Sequence, residues 1–170
     1  MSKIKSVSDL LPVIMRLGFF AIAGVYMVFA MLTYFDYFES YLFPLHFIQG
    51  KAKQVSKHLI VGPYPRQEEM RRLKDEYGID VIVSLLNTEL PQEKALLERE
   101  KGVAEGVGIK VVSYPLQYLT LDSDENKAVL AKLVEYIGAN RDKVVYMHCY
   151  LGKHRVAFAR DVLIAQGLTL

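Results

Sequence analysis

Residues 17–35, LGFFAIAGVYMVFAMLTYF, carry no charge. This run matches the roughly 20 residues an α-helix needs to cross a bilayer core. Arg16 and Asp36 bracket it, and Tyr34 and Tyr37 suit the aromatic belt at a membrane interface. The run divides the chain into a basic N-terminus (1–16), a transmembrane anchor (17–35), a juxtamembrane apolar segment (36–50) and a domain (51–170). A cleaved signal peptide is the competing reading, because Lys3 and Lys5 precede the run. Against it, the run is long for a signal core and ends without a small-x-small cleavage site. A buried core helix is a third reading, but so small a domain has little with which to cover a helix that is apolar on every side.

The expected location is a single-pass membrane protein. Lys3, Lys5 and Arg16 lie before the span, whereas Asp36 and Glu39 follow it and no base appears until Lys51. This weak bias places the domain on the non-cytoplasmic side, although Lys51, Lys53 and Lys57 reduce it. Residues 37–48, YFESYLFPLHFI, have the composition of a segment that lies along an interface.

Beyond Gly50 the pattern becomes one of short apolar runs alternating with charged stretches of helical spacing. Residues 58–62, 81–86, 110–114 and 143–147 read as strands. Residues 67–77, 92–105 and 124–137 read as helices, the first stopped by Gly78. The expectation is an α/β domain with a largely parallel central sheet flanked by helices, preceded by one transmembrane helix. In such sheets ligands bind beyond the carboxyl ends of the strands. The 21 basic and 19 acidic residues nearly balance, so no basic field argues for nucleic acid. The single cysteine excludes an internal disulfide and a Cys-rich zinc site.

That cysteine sits where the last apolar strand ends, in His148-Cys149-Tyr150-Leu151-Gly152-Lys153-His154-Arg155, and a helical stretch follows. A loop between a strand end and a helix start turns successive backbone N–H groups inward and forms an anion-binding nest. The positive helix end favours the thiolate of a cysteine at the mouth of that nest, and a thiolate is a strong nucleophile. Arg155, in the first helical turn, presents a planar fork that matches two phosphate oxygens. Gly152 permits the tight curvature. His148, Cys149 and His154 lack the spacing of a metal site. Residues 102–108, GVAEGVG, follow a helix and so fail the context of a dinucleotide loop. Arg71, Arg72 and Lys74 read as a solvated helix face.

These residues resemble the His-Cys-five residues-Arg signature of the protein tyrosine phosphatase superfamily, and most closely its small atypical dual-specificity branch. The resemblance implies a cysteine-phosphatase fold with Cys149 as nucleophile and Arg155 as phosphate ligand. His148 would order the loop behind them, and residues 150–155 (Tyr150, Leu151, Gly152, Lys153, His154, Arg155) would form the phosphate-binding loop. It further implies hydrolysis of phosphomonoesters through a cysteinyl-phosphate, with no metal and no organic cofactor. The substrate would be a phosphorylated protein, a phospholipid or an inositol phosphate. The Gly-Lys-His-Arg ending is similar to that of atypical members acting on inositol pyrophosphates, and Lys153 falls where a phosphoinositide phosphatase carries a lysine.

This chain departs from the family at the position after the arginine, where Val156 replaces the usual Ser or Thr. For the general acid the family points to an aspartate upstream of the cysteine. Asp122 is the first candidate and Asp124 the second. Asp122 also reads as a helix cap, with Glu125 three residues on completing a capping box. Two alternative functions stay open. One is a phosphate-binding module that has lost turnover, motivated by Val156. The other is a rhodanese-type sulfurtransferase, which also carries a cysteine at the head of a loop after a strand.

Overall fold

The computed structural model describes residues 7–34 and 49–168. The juxtamembrane reading of residues 36–50 lies outside them except for Gln49 and Gly50. Helix α1 (Val7–Thr33) begins well before the uncharged run and takes in Pro12 and Arg16. Within it, Leu10–Thr33 is long and apolar enough to cross a membrane, and none of its most hydrophobic stretch is buried.

The domain is built from β1 (Lys53–Ser56), β2 (Leu59–Gly62), α2 (Gln67–Tyr77), β3 (Val81–Ser84), α3 (Pro91–Gly106), β4 (Lys110–Ser113), α4 (Asp124–Ala139), β5 (Val145–His148) and α5 (His154–Ala165). The five strands lie in the order β1-β2-β5-β3-β4. β2, β5, β3 and β4 run parallel, and β1 closes one edge antiparallel to β2. Strand β1 was not expected. Its sequence, KQVS, is polar and largely exposed, as suits an edge strand with little to bury. The apolar runs at 81–86 and 143–147 do not coincide with their strands. Leu85 and Leu86 leave β3 yet remain fully buried, and β5 extends to His148.

Side chains alternate across the sheet, as the two-residue period of strands requires. Leu59, Val61, Val81, Val83, Val145 and Met147 face one way and pack against Leu130, Leu133 and Ile137 of α4 and Val156, Ala159 and Leu163 of α5. Ile60, Ile82 and Tyr146 face the other way, against Met70 and Leu73 of α2 and Ala104 of α3. Two apolar layers therefore sandwich the sheet, and burial of their side chains is the main stabilising term. β5 is the central strand, hydrogen-bonded to β2 on one side and β3 on the other. Its carboxyl end is thus surrounded by loops from both neighbours.

Candidate active site

Cys149 follows β5 directly and is buried. The chain then turns through Tyr150–Lys153 into α5. Gly152 adopts φ +66°, a conformation that L side chains rarely take. A Cβ at this position would also overlap the backbone of Gly62 and Pro63. The loop is braced from outside. Tyr64 N donates to Tyr150 O (3.2 Å) and Gly50 N donates to Leu151 O (2.8 Å), while Gln49 Nε2 donates to Tyr150 O (3.3 Å). Those carbonyls therefore point away from the loop interior, which is the arrangement an anion nest needs.

Arg155, in the first turn of α5, is 5% exposed. Glu93 of α3 accepts from both of its terminal nitrogens, at 2.7 Å each. Arg155 Nη1 also donates to Leu85 O (3.0 Å), and Leu116 O lies 3.4 Å away. Its Nε has no hydrogen-bond partner among the described residues. Burial works against the Arg155 charge. The hydrogen bonds and charge of Glu93, together with adjacent Cys149, more than offset this and hold the guanidinium above its usual pKa. A permanent cation is thereby fixed beside the thiol. Glu93 is itself placed by accepting from the Asn87 backbone N–H, in the first turn of a helix that opens on Pro91, where the helix dipole favours an acid.

His148 lies behind the loop, fully buried, with its Nε2 donating to Glu100 Oε1 at 2.6 Å. The rings of Tyr146 (stacked) and Tyr64 (edge-on) enclose it. Leu90, Glu93, Tyr118, Cys149, Tyr150, Leu151, His154 and Arg155 line one cleft. The structure therefore gathers Cys149, Arg155 and the loop residues that the sequence singled out. Lys153 and His154 are exposed at its edge, and His154 meets the Tyr118 ring edge-on.

The two aspartates stand apart from this cleft. Asp122 and Asp124 have side chains 86% and 100% exposed, and Lys127 Nζ lies 3.2 and 3.8 Å from them. Asp122 is not the helix cap either. Ser123 takes that position, its Oγ accepting from Asn126 N, because its short side chain reaches the orphan N–H groups one residue closer to the helix. Val156 is 2% exposed and packs in the same apolar cluster as Cys149.

Three polar residues that order the surroundings of the cleft have only weak sequence signals. Glu100 falls on the buried stripe of α3 with Leu96 and Ala104, so an acid at four-residue spacing on an apolar face is its only mark. Glu93 looks like any first-turn acid. Asn126, 1% exposed, stitches the 117–121 loop together. It accepts from Gln117 N and donates to Gln117 O, Thr120 O and Leu121 O.

No protein-family model and no curated protein matches this chain. Among solved structures it is similar to the core catalytic domain of the PP-IP phosphatase SIW14 from S. cerevisiae. The identity is 22% and the TM-score 0.53, with 70% of this chain and 68% of that one covered. It is also similar to a DUF442 protein of Shewanella putrefaciens CN-32, at 19% identity and TM-score 0.56, covering 70% and 74%. What is shared at this level of identity is the architecture, a mixed sheet flanked by helices: the chain has the cysteine-phosphatase fold.

Proposed function

We propose that the protein is a cysteine-dependent phosphatase acting on phosphomonoesters. The observation that carries this reading is the juxtaposition of Cys149 and Arg155 in one cleft, with the Arg155 Nε edge unpartnered and its other nitrogens committed to Glu93 and two carbonyls. In this reading the Cys149 thiolate attacks phosphorus and a P–S bond forms as the P–O bond to the leaving group breaks. An acid delivers a proton to the departing oxygen. Water then attacks the phosphocysteine, the P–S bond breaks, and phosphate and thiolate are released. Arg155 and loop backbone N–H groups that remain free to face the anion stabilise the charge on the equatorial oxygens throughout. His148, held by Glu100, keeps the base of the loop in place.

Asp122 is our first choice as acid and Asp124 our second. Movement of the 117–123 loop would bring Asp122 over the cleft, and Asp124 would need the first turn of α4 to move with it. A substrate with a good leaving group would not need them. Helix α1 is assigned as a membrane anchor, supported by its length, its hydropathy and its exposure.

The decisive assay uses the full chain with a small aryl phosphate and chelator present. The wild type is expected to turn over, and Cys149→Ser and Arg155→Ala to lose turnover together. Wild-type protein that binds phosphate without turnover would point instead to a phosphate-binding module. Val156 is the specific observation behind that second reading, since the residue after Arg155 is apolar and packed in the core. Val156→Thr would then be the first substitution to try.

A further inference from the structure

We infer that the substrate is a phosphomonoester lipid taken from the membrane surface, with the apolar rim of the cleft resting on the bilayer. The inference rests on the phosphatase reading and adds the substrate class. Within residues 49–168, four large apolar side chains stand exposed: Leu90 (40%), Tyr118 (51%), Leu119 (91%) and Ile164 (48%). Leu90 and Tyr118 line the cleft that holds Cys149, and Leu119, the most exposed of the four, is the next residue in the chain after Tyr118. A site for a soluble, highly charged phosphate compound has no use for such a rim, whereas a headgroup emerging from hydrocarbon does.

The route of the chain supports the same occupant. The candidate span ends at Thr33, and the chain joins the domain at Gln49 and Gly50. Both of these hydrogen-bond the phosphate loop itself, at Tyr150 O and Leu151 O. The tether therefore attaches next to the cleft and not on the opposite side of the domain. The intervening residues 34–48 extend at most roughly 50 Å, at about 3.3–3.6 Å each. They carry Phe35, Phe38, Phe43 and Phe47 with Tyr37 and Tyr41, a composition that partitions into the lipid interface. Exposed Lys153 adds positive charge next to His154 of the cleft, suited to an anionic headgroup.

The test uses the full chain in mixed micelles of phosphatidylcholine and non-ionic detergent. Three substrates are compared: long-chain phosphatidic acid in the micelle, soluble glycerol 3-phosphate, and a phosphotyrosine peptide, with an aryl phosphate as reference. The expected result is kcat/KM for phosphatidic acid at least ~100-fold above both soluble substrates, with a rate that follows its surface fraction. Leu119→Asp is expected to lower phosphatidic acid turnover about tenfold or more while aryl phosphate turnover stays within about twofold. If the aryl phosphate is hydrolysed but the peptide or glycerol 3-phosphate matches or exceeds the lipid, or if Leu119→Asp affects none selectively, the lipid assignment is overturned and the phosphatase reading stands. If the wild type hydrolyses nothing, including the aryl phosphate, both fall together.

Discussion

The Glu93 carboxylate holds Arg155 through both terminal guanidinium nitrogens, at 2.7 Å each, across 62 residues of sequence. Two parallel hydrogen bonds fix the plane of the guanidinium as well as its position. The Nε edge is consequently aimed without any contribution from substrate. Pre-orientation of this kind lowers the entropy lost on phosphate binding.

Removing that carboxylate should therefore damage the site more than the fold alone would suggest. Glu93→Gln is expected to lower kcat/KM for an aryl phosphate about 100-fold, with phosphate affinity falling in parallel. Since a nearly buried ion pair is being broken, stability should also fall, by up to ~3–5 kcal/mol. Steady-state kinetics and urea unfolding on the same preparation separate the two effects. Unchanged kinetics in a folded variant would remove Glu93 from the site.

His148 and Glu100 form a second pair, 2.6 Å apart and with no solvent exposure on either side chain. Each single alanine variant leaves the other polar group stranded in the interior, which is costly. The double variant leaves neither. A double-mutant cycle measured by urea unfolding should give a favourable coupling of roughly 1–3 kcal/mol. Additive single effects would mean that the two side chains do not act as a pair.

Gly152→Ala meets two obstacles at once: a positive φ, and a Cβ that would overlap the Gly62–Pro63 backbone. Strained backbone of this kind costs about 1–3 kcal/mol, and the loop has to shift to relieve the overlap. Phosphate binding, followed by calorimetry, is expected to disappear before the fold does. Gly78→Ala also replaces a glycine with positive φ, but one with open space for a Cβ and no contact with the loop. It should cost stability alone.

The aspartates give a prediction that depends on the leaving group. General acid catalysis is worth about 10²–10⁴-fold, and it is needed where the departing oxygen is a poor leaving group. Asp122→Asn should therefore reduce kcat for an alkyl phosphate about 100-fold and leave p-nitrophenyl phosphate nearly unaffected. If Asp124→Asn shows that pattern instead, the roles exchange. If neither does, the proton comes from elsewhere.

Alkaline pH should weaken the fold through Tyr146. Its hydroxyl donates to Pro63 O at 2.7 Å. Burial first, then the charges of Glu69, Glu100 and Cys149, push its pKa well above the ordinary tyrosine value of about 10. The folded state thus keeps a proton that the unfolded state releases. The stabilisation is complete below pH 10 and declines as pH rises above it, by about 1.4 kcal/mol per pH unit. Tyr114 and Tyr136, raised mainly by burial, act in the same direction. Tyr146→Phe should be less stable than wild type at neutral pH by ~1 kcal/mol and lose stability less steeply above pH 10. Urea midpoints across that range test both parts.

Features encoded within a few consecutive residues were legible in the chain itself. The strand-to-helix loop around Cys149 and Arg155, the largely parallel character of the sheet implied by alternating apolar runs, and the apolar character of α1 all follow from local composition and spacing, whereas the strand order does not. Local pattern was less reliable at boundaries. The expected cap at Asp122 moved by one residue to Ser123, where capping geometry is better. The polar edge strand β1 left no apolar trace. Only the tertiary structure decided which carboxylates serve the site. Glu93 and Glu100 reach Arg155 and His148 across 62 and 48 residues of chain, and α3 carries other acids, such as Glu98 and Glu105, that do not. Their selection depends on which face of α3 meets the end of β5, and that is fixed by packing of the whole apolar layer. The physical reason is one of range: hydrogen-bonding propensity and periodicity act over a few residues, whereas a buried charge pair exists only once distant segments have been brought together and water has been excluded.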